Sequence, residues 1–257
     1  PMTDHLLVDR QDSVTVLTLN RPNKLNAMDS ALYERLIAEI KAADEDPEVR
    51  AIVLRGNGRA FCTGADVGEF EELTPDQVER VEKRAGLTYG LHQTISQTAK
   101  PLIGAVHGYA VGGGCGLAVA CDITIASANV KMGYPEIKHG LVAAVVMANL
   151  TKQVGRKAGF DLVASGRLIG AEEALQMGLV TRVAEEGGEF DEAMRTAQDL
   201  ARRPPQALQA TKRLYMDVAD VPLAEGLILG RQANERMRAY RAEALKTYKT
   251  SVKGLEG

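Results

Sequence analysis

The chain has 257 residues, of which 45% are hydrophobic and 25% charged, a composition that predicts one large folded domain or a domain with an appendage. Its formal net charge of −3 excludes a strongly basic protein and gives no electrostatic reason to expect a nucleic-acid partner. No stretch is apolar for long enough to span a bilayer, and the first residues show no apolar signal segment. We therefore expect no membrane partner and a cytoplasmic location.

Cys62, Cys115 and Cys121 lack metal-ligand spacing, which predicts reduced, mostly buried thiols and no metal site.

The first 56 residues contain a hairpin pattern followed by a helix and a strand. Strand-like segments over residues 6–8 and 14–19 are separated by a turn-prone pair, which predicts a β-hairpin. Ser30 is expected to cap a helix whose apolar positions recur every three or four residues, and a strand over 51–54 follows. This order completes one strand-strand-helix-strand cycle.

A second cycle begins at Thr74, where Thr-Pro-Asp-Gln has the form of a capping box and predicts a helix to about Thr98. A strand over 101–106 follows. A helix over 114–120 then leads into a strand-like segment over 122–126. The alternation of strands and helices predicts an α/β fold with parallel pairing.

Helical patterns dominate after about Gly187, over residues 191–202, 205–218 and 223–248. We therefore divide the chain into a core, residues 1–190, and a helical C-terminal region, residues 191–257. The last helix has a mixed face that is too polar for a deep core, which indicates contact with another subunit. A solvated surface helix is the alternative.

Two glycine-rich turns, over residues 58–66 and 108–116, each follow a short apolar run, and a lone carboxylate, Glu136, stands downstream. In such turns bare backbone can approach a ligand. Together they can provide two converging N–H donors for a carbonyl oxygen that becomes negative during a reaction. Tight strand-to-helix packing is the alternative explanation of the glycines, and a surface acid at a helix start is the alternative for Glu136.

Four segments in this order resemble the crotonase, or enoyl-CoA hydratase/isomerase, superfamily, and the match runs from about residue 20 to 183. They read Asn-Arg-Pro-Asn-Lys-Leu-Asn-Ala-Met over 20–28, Ala-Phe-Cys-Thr-Gly-Ala-Asp-Val over 60–67, His-Gly-Tyr-Ala-Val-Gly-Gly-Gly-Cys over 107–115 and Tyr-Pro-Glu-Ile over 134–137. The resemblance implies a spiral of repeated strand-strand-helix units with a C-terminal helical trimerisation region. It implies an acyl-CoA substrate, no permanently bound cofactor beyond the coenzyme A of that substrate, and a homotrimer or homohexamer.

The resemblance also implies roles for individual residues. The backbone N–H groups of Ala65 and Gly113 match the two oxyanion donors, and Glu136 matches the glutamate that moves a proton at the acyl chain. Substrate and CoA contacts are implied for Lys24, Leu25, Ala27, Ala65, Asp66, Val67, Gly68, Gly112 and Gly113. Asp66 is also expected to cap a helix. These roles suit a thioester, since removing a proton beside its carbonyl leaves an enolate whose charge rests on oxygen.

The chain departs from the family pattern at Gly116, where hydratases carry a second glutamate that helps to hold a water. One carboxylate is enough to move a proton between two carbons, whereas activating water normally uses two. The sequence therefore favours 3-enoyl to 2-enoyl-CoA isomerisation. The alternative is a hydratase that uses Glu136 with another group, for which His139, Glu69 and Glu72 are the first candidates. The acidic cluster around Glu69 is otherwise interpreted as a solvated helix face, and His139 as a hydrogen-bonded structural histidine.

Two further departures concern the substrate pocket. Residues 138–150 are mostly apolar where the family often has a Gly-Gly-Thr-Gln-Arg-like run, so we expect a reshaped acyl pocket. The last helix lacks the family's Phe-containing end, which leaves Tyr248, Lys249 and Lys253 as candidates for contact with CoA across a subunit boundary.

Two other function classes are alternatives to the one that this resemblance implies. A dinucleotide-binding oxidoreductase fits poorly, because residues 112–117 lack the third glycine of the Gly-x-Gly-x-x-Gly motif. The acidic residue expected about twenty residues further on is also missing. A non-catalytic crotonase-fold protein that binds RNA or protein is the other alternative, and no basic stripe supports it.

Overall fold

The computed structural model describes residues 4–248, and within them the strands form a six-stranded and a four-stranded sheet. The strands are β1 (Leu6–Gln11), β2 (Val14–Leu19), β3 (Ala51–Gly56), β4 (Ala60–Cys62), β5 (Leu102–Val106), β6 (Tyr109–Val111), β7 (Ile123–Ser127), β8 (Lys131–Gly133), β9 (Leu168–Ile169) and β10 (Arg182–Ala184). The helices are α1 (Ser30–Glu45), α2 (Val67–Glu72), α3 (Val78–Gln97), α4 (Gly113–Ala120), α5 (Met147–Gln153), α6 (Arg156–Ser165), α7 (Ala171–Gln176), α8 (Glu189–Ala201), α9 (Pro205–Ala219) and α10 (Leu223–Tyr248).

The larger sheet has the order β1-β2-β3-β5-β7-β10. Its first two strands form the predicted antiparallel hairpin, and every later neighbour pairs in parallel, as the alternation of elements predicts. Residues 51–54 and 102–106 are buried throughout, because helices cover both faces of this sheet. The expected α/β fold with parallel pairing is therefore confirmed.

The smaller sheet has the order β4-β6-β8-β9, and the sequence pattern did not reveal it. Its strands have two or three residues each, too few for a period-two pattern to stand out. In the strand pairs β3-β4, β5-β6 and β7-β8, the first strand joins the larger sheet and the second joins the smaller one, whereas both strands of the opening hairpin belong to the larger sheet. β4 and β6 lie within the two glycine-rich segments and pair in parallel, so the residues that follow them, 63–66 and 112–116, leave the sheet at the same edge.

Two predicted helix starts are wrong. The first residue of α1 is Ser30, but the cap is Asp29, whose Oδ1 accepts a hydrogen bond from the Leu32 N–H at 2.9 Å. The Thr74 capping box does not form, because α3 begins only at Val78 and no side chain caps it. Thr74 instead accepts a backbone hydrogen bond from Gln77 N at 2.9 Å in the turn before the helix.

Apolar side chains are buried on both faces of the larger sheet. One core lies between this sheet and α1, α3 and α4, with Leu17, Leu36 and Leu54 fully buried. The other lies beneath α8 and includes Ala193 and Met194. The three cysteines are free and buried, as predicted, and burial raises the pKa of each thiol.

The C-terminal part is helical from Glu189, as predicted, and α9 and α10 pair with each other beyond α8. Lys212 joins α9 to the larger sheet, because its Nζ lies 2.7 Å from Asp122 Oδ2 and 2.9 Å from the Lys100 carbonyl oxygen. On α10, Leu223 and Leu227 are exposed by 79% and 66%. Contact of α10 with another subunit remains a prediction, as does the division at residue 190. Among the described residues, no helix is long and apolar enough to cross a membrane.

Candidate active site

The two glycine-rich turns meet at Gly64 and Gly113. A Cβ on Gly64 would lie 2.9 Å from the Gly113 nitrogen and 3.1 Å from the Val111 carbonyl oxygen, and the φ of Gly64 is +87°. Only glycine tolerates both this conformation and this approach. A Cβ on Gly113 would in turn lie 4.0 Å from the Ala65 nitrogen. The fold therefore brings the two predicted oxyanion donors together.

The peptide groups on either side of Ala65 are held by Met28. Met28 donates its N–H to the Gly64 carbonyl oxygen at 2.7 Å and accepts from the Asp66 N–H at 3.1 Å. Because the hydrogen-bonding groups of an extended chain alternate in direction, this bridge leaves the Ala65 N–H facing away from Met28. Within residues 4–248, no acceptor is bonded to the Ala65 or the Gly113 N–H.

The Gly113 N–H has a structural reason to be unpaired. Gly113 is the first residue of α4, so its N–H belongs to the first turn, where helical N–H groups lack an intrahelical partner. The partial positive charge at this end of the helix also favours a negative oxygen. Both N–H groups are therefore left without a protein acceptor among the described residues, as the predicted role of oxyanion donor requires.

Arg84 and Glu69 tie this site to two helices. Arg84 donates from Nη2 to the Met28 carbonyl oxygen at 3.2 Å and from Nε to Glu69 Oε2 at 3.0 Å. Both Glu69 oxygens accept from the Ser30 N–H at the start of α1. Burial raises the pKa of Glu69, but the hydrogen bonds from Ser30 and Arg84 and the charge of Arg84 together outweigh this effect. The pKa of Glu69 is therefore lowered. The solvated-face interpretation is thus wrong for Glu69.

Glu136 lies beside the second turn, on a short 3₁₀ turn that follows β8. A Cβ on Gly112 would lie 3.1 Å from its Oε1, which explains why this position, with φ of +57°, holds glycine. Its Oε2 is buried and has no hydrogen-bond partner among the described residues. Burial raises the pKa of the carboxyl, while its own backbone N–H and the charge of His139 lower it by less. A carboxylate in this state is a suitable general base.

Gly116 lies one turn beyond Gly112 and donates its N–H to the Gly112 carbonyl oxygen at 3.0 Å. A Cβ at Gly116 would lie 2.1 Å from Val146 Cγ1, 2.6 Å from Val146 Cβ and 3.6 Å from His92 Cε1. The space that a side chain at 116 would enter is therefore occupied by an apolar group. The obstacle to a larger residue here is this contact rather than an unusual backbone conformation.

The other candidates for a second polar group are exposed or paired with other residues. His139 is exposed, with no hydrogen bond to its ring in the described part of the chain, so the interpretation as a hydrogen-bonded structural histidine is not supported. Glu72 is exposed and pairs with Arg80 at 3.7 Å. Glu69 is held by Ser30 and Arg84, as described above.

Sequence reasoning missed two residues beside Gly116. His92 on α3 lies with its Nδ1 3.0 Å from Asn149 Nδ2 on α5, and burial lowers the pKa of His92 to about 4. Neither residue stands in a motif or carries a spacing that would have singled it out.

Asp66 anchors the segment implied to hold CoA. Its Oδ1 accepts from the Gly68 N–H, so it caps α2 as predicted, and its Oδ2 lies 2.7 Å from Arg21 Nη2. Burial raises the pKa of Asp66, but the hydrogen bond and charge of Arg21, followed by the Gly68 N–H and Lys24, outweigh it and lower the pKa. The carboxylate is therefore used internally, which leaves the backbone around it to meet a ligand.

The remaining predicted CoA contacts differ in exposure. Val67 is 67% exposed, and Gly68 and Lys24 are also at the surface. Leu25 is half-buried with φ of +51°, whereas Ala27 is buried and its carbonyl oxygen accepts from Arg21. The side chains of residues 245–248, including Tyr248, and all of Lys249 and Lys253 lie outside the described part of the structure. Across that part, no cluster of His, Cys, Asp and Glu is arranged to hold a metal ion.

Comparison with known proteins gives matches that span nearly the whole chain. A family model described as enoyl-CoA hydratase/isomerase matches residues 9–253. The 2,3-dehydroadipyl-CoA hydratase of Escherichia coli is 38% identical over 88% of this chain and 88% of its own. An enoyl-CoA hydratase structure from Mycobacterium smegmatis superposes with a TM-score of 0.90 at 29% identity, covering 96% of both chains. One from Bacillus anthracis has a TM-score of 0.87 at 28% identity, covering 95% of this chain and 96% of its own.

Proposed function

The chain belongs to the enoyl-CoA hydratase/isomerase family, and from that premise we propose that it isomerises 3-enoyl-CoA to 2-enoyl-CoA faster than it hydrates 2-enoyl-CoA. Family membership makes it an enzyme that acts on an acyl-CoA thioester. The preference between the two reactions rests on the residues around Glu136 and Gly116.

In the proposed reaction the thioester oxygen binds between the N–H groups of Ala65 and Gly113. Both groups are unpaired within the described residues, and both lie on backbone fixed by tight contacts. Donors held in place before the reaction stabilise charge that develops on oxygen without having to reorganise. Each contributes a factor on the order of 10²–10³ in rate, by analogy with other oxyanion sites.

Glu136 then moves one proton along the acyl chain. The ionised carboxylate takes a proton from C2, the electron pair of the C–H bond enters the conjugated system, and the thioester oxygen becomes negative. The same carboxyl group returns the proton to C4, so that the C3–C4 double bond becomes a C2–C3 double bond. The raised pKa of Glu136 suits both steps, because it brings the base closer in strength to the acidic carbon.

The contact between Val146 and position 116 carries the preference for isomerisation. A second carboxylate there would help to hold and activate a water, but the available space is filled by a valine side chain. Hydration remains the second candidate, because the relatives named above are hydratases. That reaction would need a group other than Glu136 to complete the water site.

We also propose that the surface around Asp66 binds the nucleotide part of CoA, with Lys24, Leu25, Val67 and Gly68 contributing. The α9–α10 pair is the proposed oligomerisation region of a homotrimer or homohexamer. Exposed apolar residues on α10 and an open groove of about 940 Å³ between the two helices support this assignment.

Steady-state kinetics on matched thioesters test the proposed activity. The 3-enoyl-CoA and the 2-enoyl-CoA of one acyl chain are each supplied to the enzyme, and kcat/KM is measured for isomerisation and for hydration. We expect the isomerisation value to be the larger for every chain length that binds. A larger hydration value for a chain that also isomerises would refute the preference and leave the family assignment intact.

A further inference from the structure

His92, close to position 116, and its hydrogen-bond partner Asn149 form a polar pair that the reaction proposed above does not use. A side chain at Gly112 would meet Glu136, whereas one at Gly116 would meet Val146 and His92. Gly116 donates its N–H to the Gly112 carbonyl oxygen at 3.0 Å, so His92 lies near a position one helical turn along the chain from the glycine that contacts the proton-transfer residue. On α5 and the loop before it, Ala143, Val146 and Leu150 are buried apolar residues.

The hydrogen bond with Asn149 fixes where the His92 ring carries its proton. The amide nitrogen of Asn149 can only donate, so Nδ1 of His92, 3.0 Å away, is the acceptor. A neutral ring that accepts at Nδ1 carries its hydrogen on Nε2. Burial lowers the pKa of His92 to about 4, which keeps the ring neutral at physiological pH.

The Nε2–H group is a donor without a partner among the described residues. The ring atom nearest to the missing side chain of Gly116 is Cε1, which is bonded to both nitrogens. Since Nδ1 is taken by Asn149, Nε2 is the polar atom left on that edge of the ring. A ligand that reaches position 116 can therefore accept a hydrogen bond from a neutral N–H group.

A neutral donor does not replace the missing glutamate. A water that attacks carbon must lose a proton, which requires a hydrogen-bond acceptor, and an N–H donor would instead occupy a lone pair of that water. The group that suits His92 is an oxygen on the acyl chain itself.

We propose that the natural acyl group carries a hydrogen-bond-accepting oxygen beyond its reacting carbons, and that His92 recognises this oxygen through Nε2–H. This inference rests on the proposed function, because it assumes that the acyl chain runs from Glu136 past position 116. It makes His92 a specificity residue and Asn149 the residue that orients it.

Binding of unreactive thioesters tests the proposal without any need for turnover. Saturated straight-chain acyl-CoAs are compared with oxo-acyl-CoAs of the same length, in which the carbonyl is moved one carbon at a time from the fifth carbon onward. The Kd of each is measured by calorimetry for the wild type, His92→Phe and His92→Gln. Phe keeps a flat ring without the donor, whereas Gln keeps an N–H donor.

For at least one carbonyl position, we expect the wild type to bind the oxo compound about fivefold more tightly than its parent, as one neutral hydrogen bond allows. His92→Phe should lose this preference and bind the parent within about twofold of the wild type, while His92→Gln should keep part of it. Melting temperatures identify a variant that fails to fold, and His92→Gln then carries the test. A wild type that binds the parents but prefers no oxo compound overturns this inference alone. A preference for the oxo compound that survives in His92→Phe also overturns this inference. Neither result bears on the proposed isomerisation, which the kinetic measurements test separately.

Discussion

A Cβ on Gly116 would lie 2.1 Å from Cγ1 of Val146, so the valine side chain fills the space that any larger residue at 116 would need. The overlap extends to the Val146 Cβ at 2.6 Å, and a β-branched side chain has few rotamers with which to move away. Glycine at 116 and valine at 146 are thus a matched pair. The pair excludes a carboxylate from the place where family hydratases carry one.

This pairing predicts that Gly116→Glu cannot convert the enzyme by itself. The single variant should lose on the order of 1–3 kcal/mol in unfolding free energy or fail to fold, because the new side chain overpacks against Val146. The double variant Gly116→Glu with Val146→Gly should recover folding and raise the ratio of hydration to isomerisation. Denaturant unfolding and matched-substrate kinetics check the two parts, with Val146→Gly alone as the control. Full stability of Gly116→Glu would disprove the close contact.

The oxyanion assignment is tested at Gly113 with two substitutions, one that removes the backbone N–H and one that keeps it. Proline at this first helical position is compatible with the helix, but it removes the N–H and places its ring beside the Ala65 nitrogen. Gly113→Pro should therefore lose turnover by roughly a hundredfold or more. Gly113→Ala keeps the N–H, and its Cβ makes only ordinary contacts, at 3.5 Å from Gly64 Cα and 3.6 Å from the Tyr33 hydroxyl oxygen. If the two variants have equal kcat, the Gly113 N–H has no part in the reaction.

Glu136→Gln should lower kcat by at least roughly a hundredfold and leave the Kd for a saturated acyl-CoA nearly unchanged. In the wild type, kcat/KM should rise with pH as Glu136 ionises. The pKa reported by this rise should be higher than that of an ordinary glutamate, because burial raises the pKa of Glu136. Kinetics between pH 4 and 8 would show this rise. A variant with near-normal turnover would transfer the role to another residue.

The same substitution should stabilise the fold at neutral pH. Since the pKa of Glu136 is raised in the folded state, its contribution to stability is present below the pKa of the unfolded chain and is lost as the pH rises through the folded value. The melting temperature of Glu136→Gln should accordingly exceed that of the wild type by an amount that grows between pH 4 and neutrality. A difference that shrinks over that interval would contradict the buried, unpaired state of Oε2.

Asp66→Asn should show the opposite pH dependence. Asparagine can still accept from the Gly68 N–H, but it loses the charge that pairs with Arg21, at a cost of about 1–3 kcal/mol for a hydrogen bond to a charged group. Because the pKa of Asp66 is lowered in the fold, this stability is present above the pKa of an unfolded aspartate, about 3.9, and is lost as the pH falls through the folded value. Urea titrations at pH 7 and pH 3 measure the difference, and an equal loss at both would show that the charge is irrelevant.

The sequence predicts those parts of the molecule that depend on local chemistry. The hairpin, the parallel strands and the start of α4 follow from periodicity and glycine, and Asp66 caps α2 because aspartate suits that position. The predicted helix starts at Ser30 and Thr74 are wrong. Asp29, a neighbour of similar chemistry, caps α1 in place of Ser30, and the Thr74 carbonyl oxygen forms a backbone hydrogen bond in a turn before α3.

The contacts across the site are not visible in the sequence. Val146 meets Gly116 and His92 meets Asn149 only because α3, α4 and α5 converge, and no spacing along the chain records that convergence. Glu69 likewise looks like a surface acid until α1 and α3 bring Ser30 and Arg84 to it.

The most direct test of a single-carboxylate proton shuttle is to follow a 3-enoyl-CoA with the wild-type enzyme by proton NMR in D₂O. The account predicts that 2-enoyl-CoA accumulates first, with part of the hydrogen lost from C2 recovered at C4, and that 3-hydroxyacyl-CoA forms more slowly or not at all. Because one carboxyl group carries the proton between the two carbons, Glu136→Gln should abolish both the isomerisation and this transfer. Appearance of 3-hydroxyacyl-CoA without any accumulation of 2-enoyl-CoA would mean that hydration outpaces isomerisation, and would contradict the account.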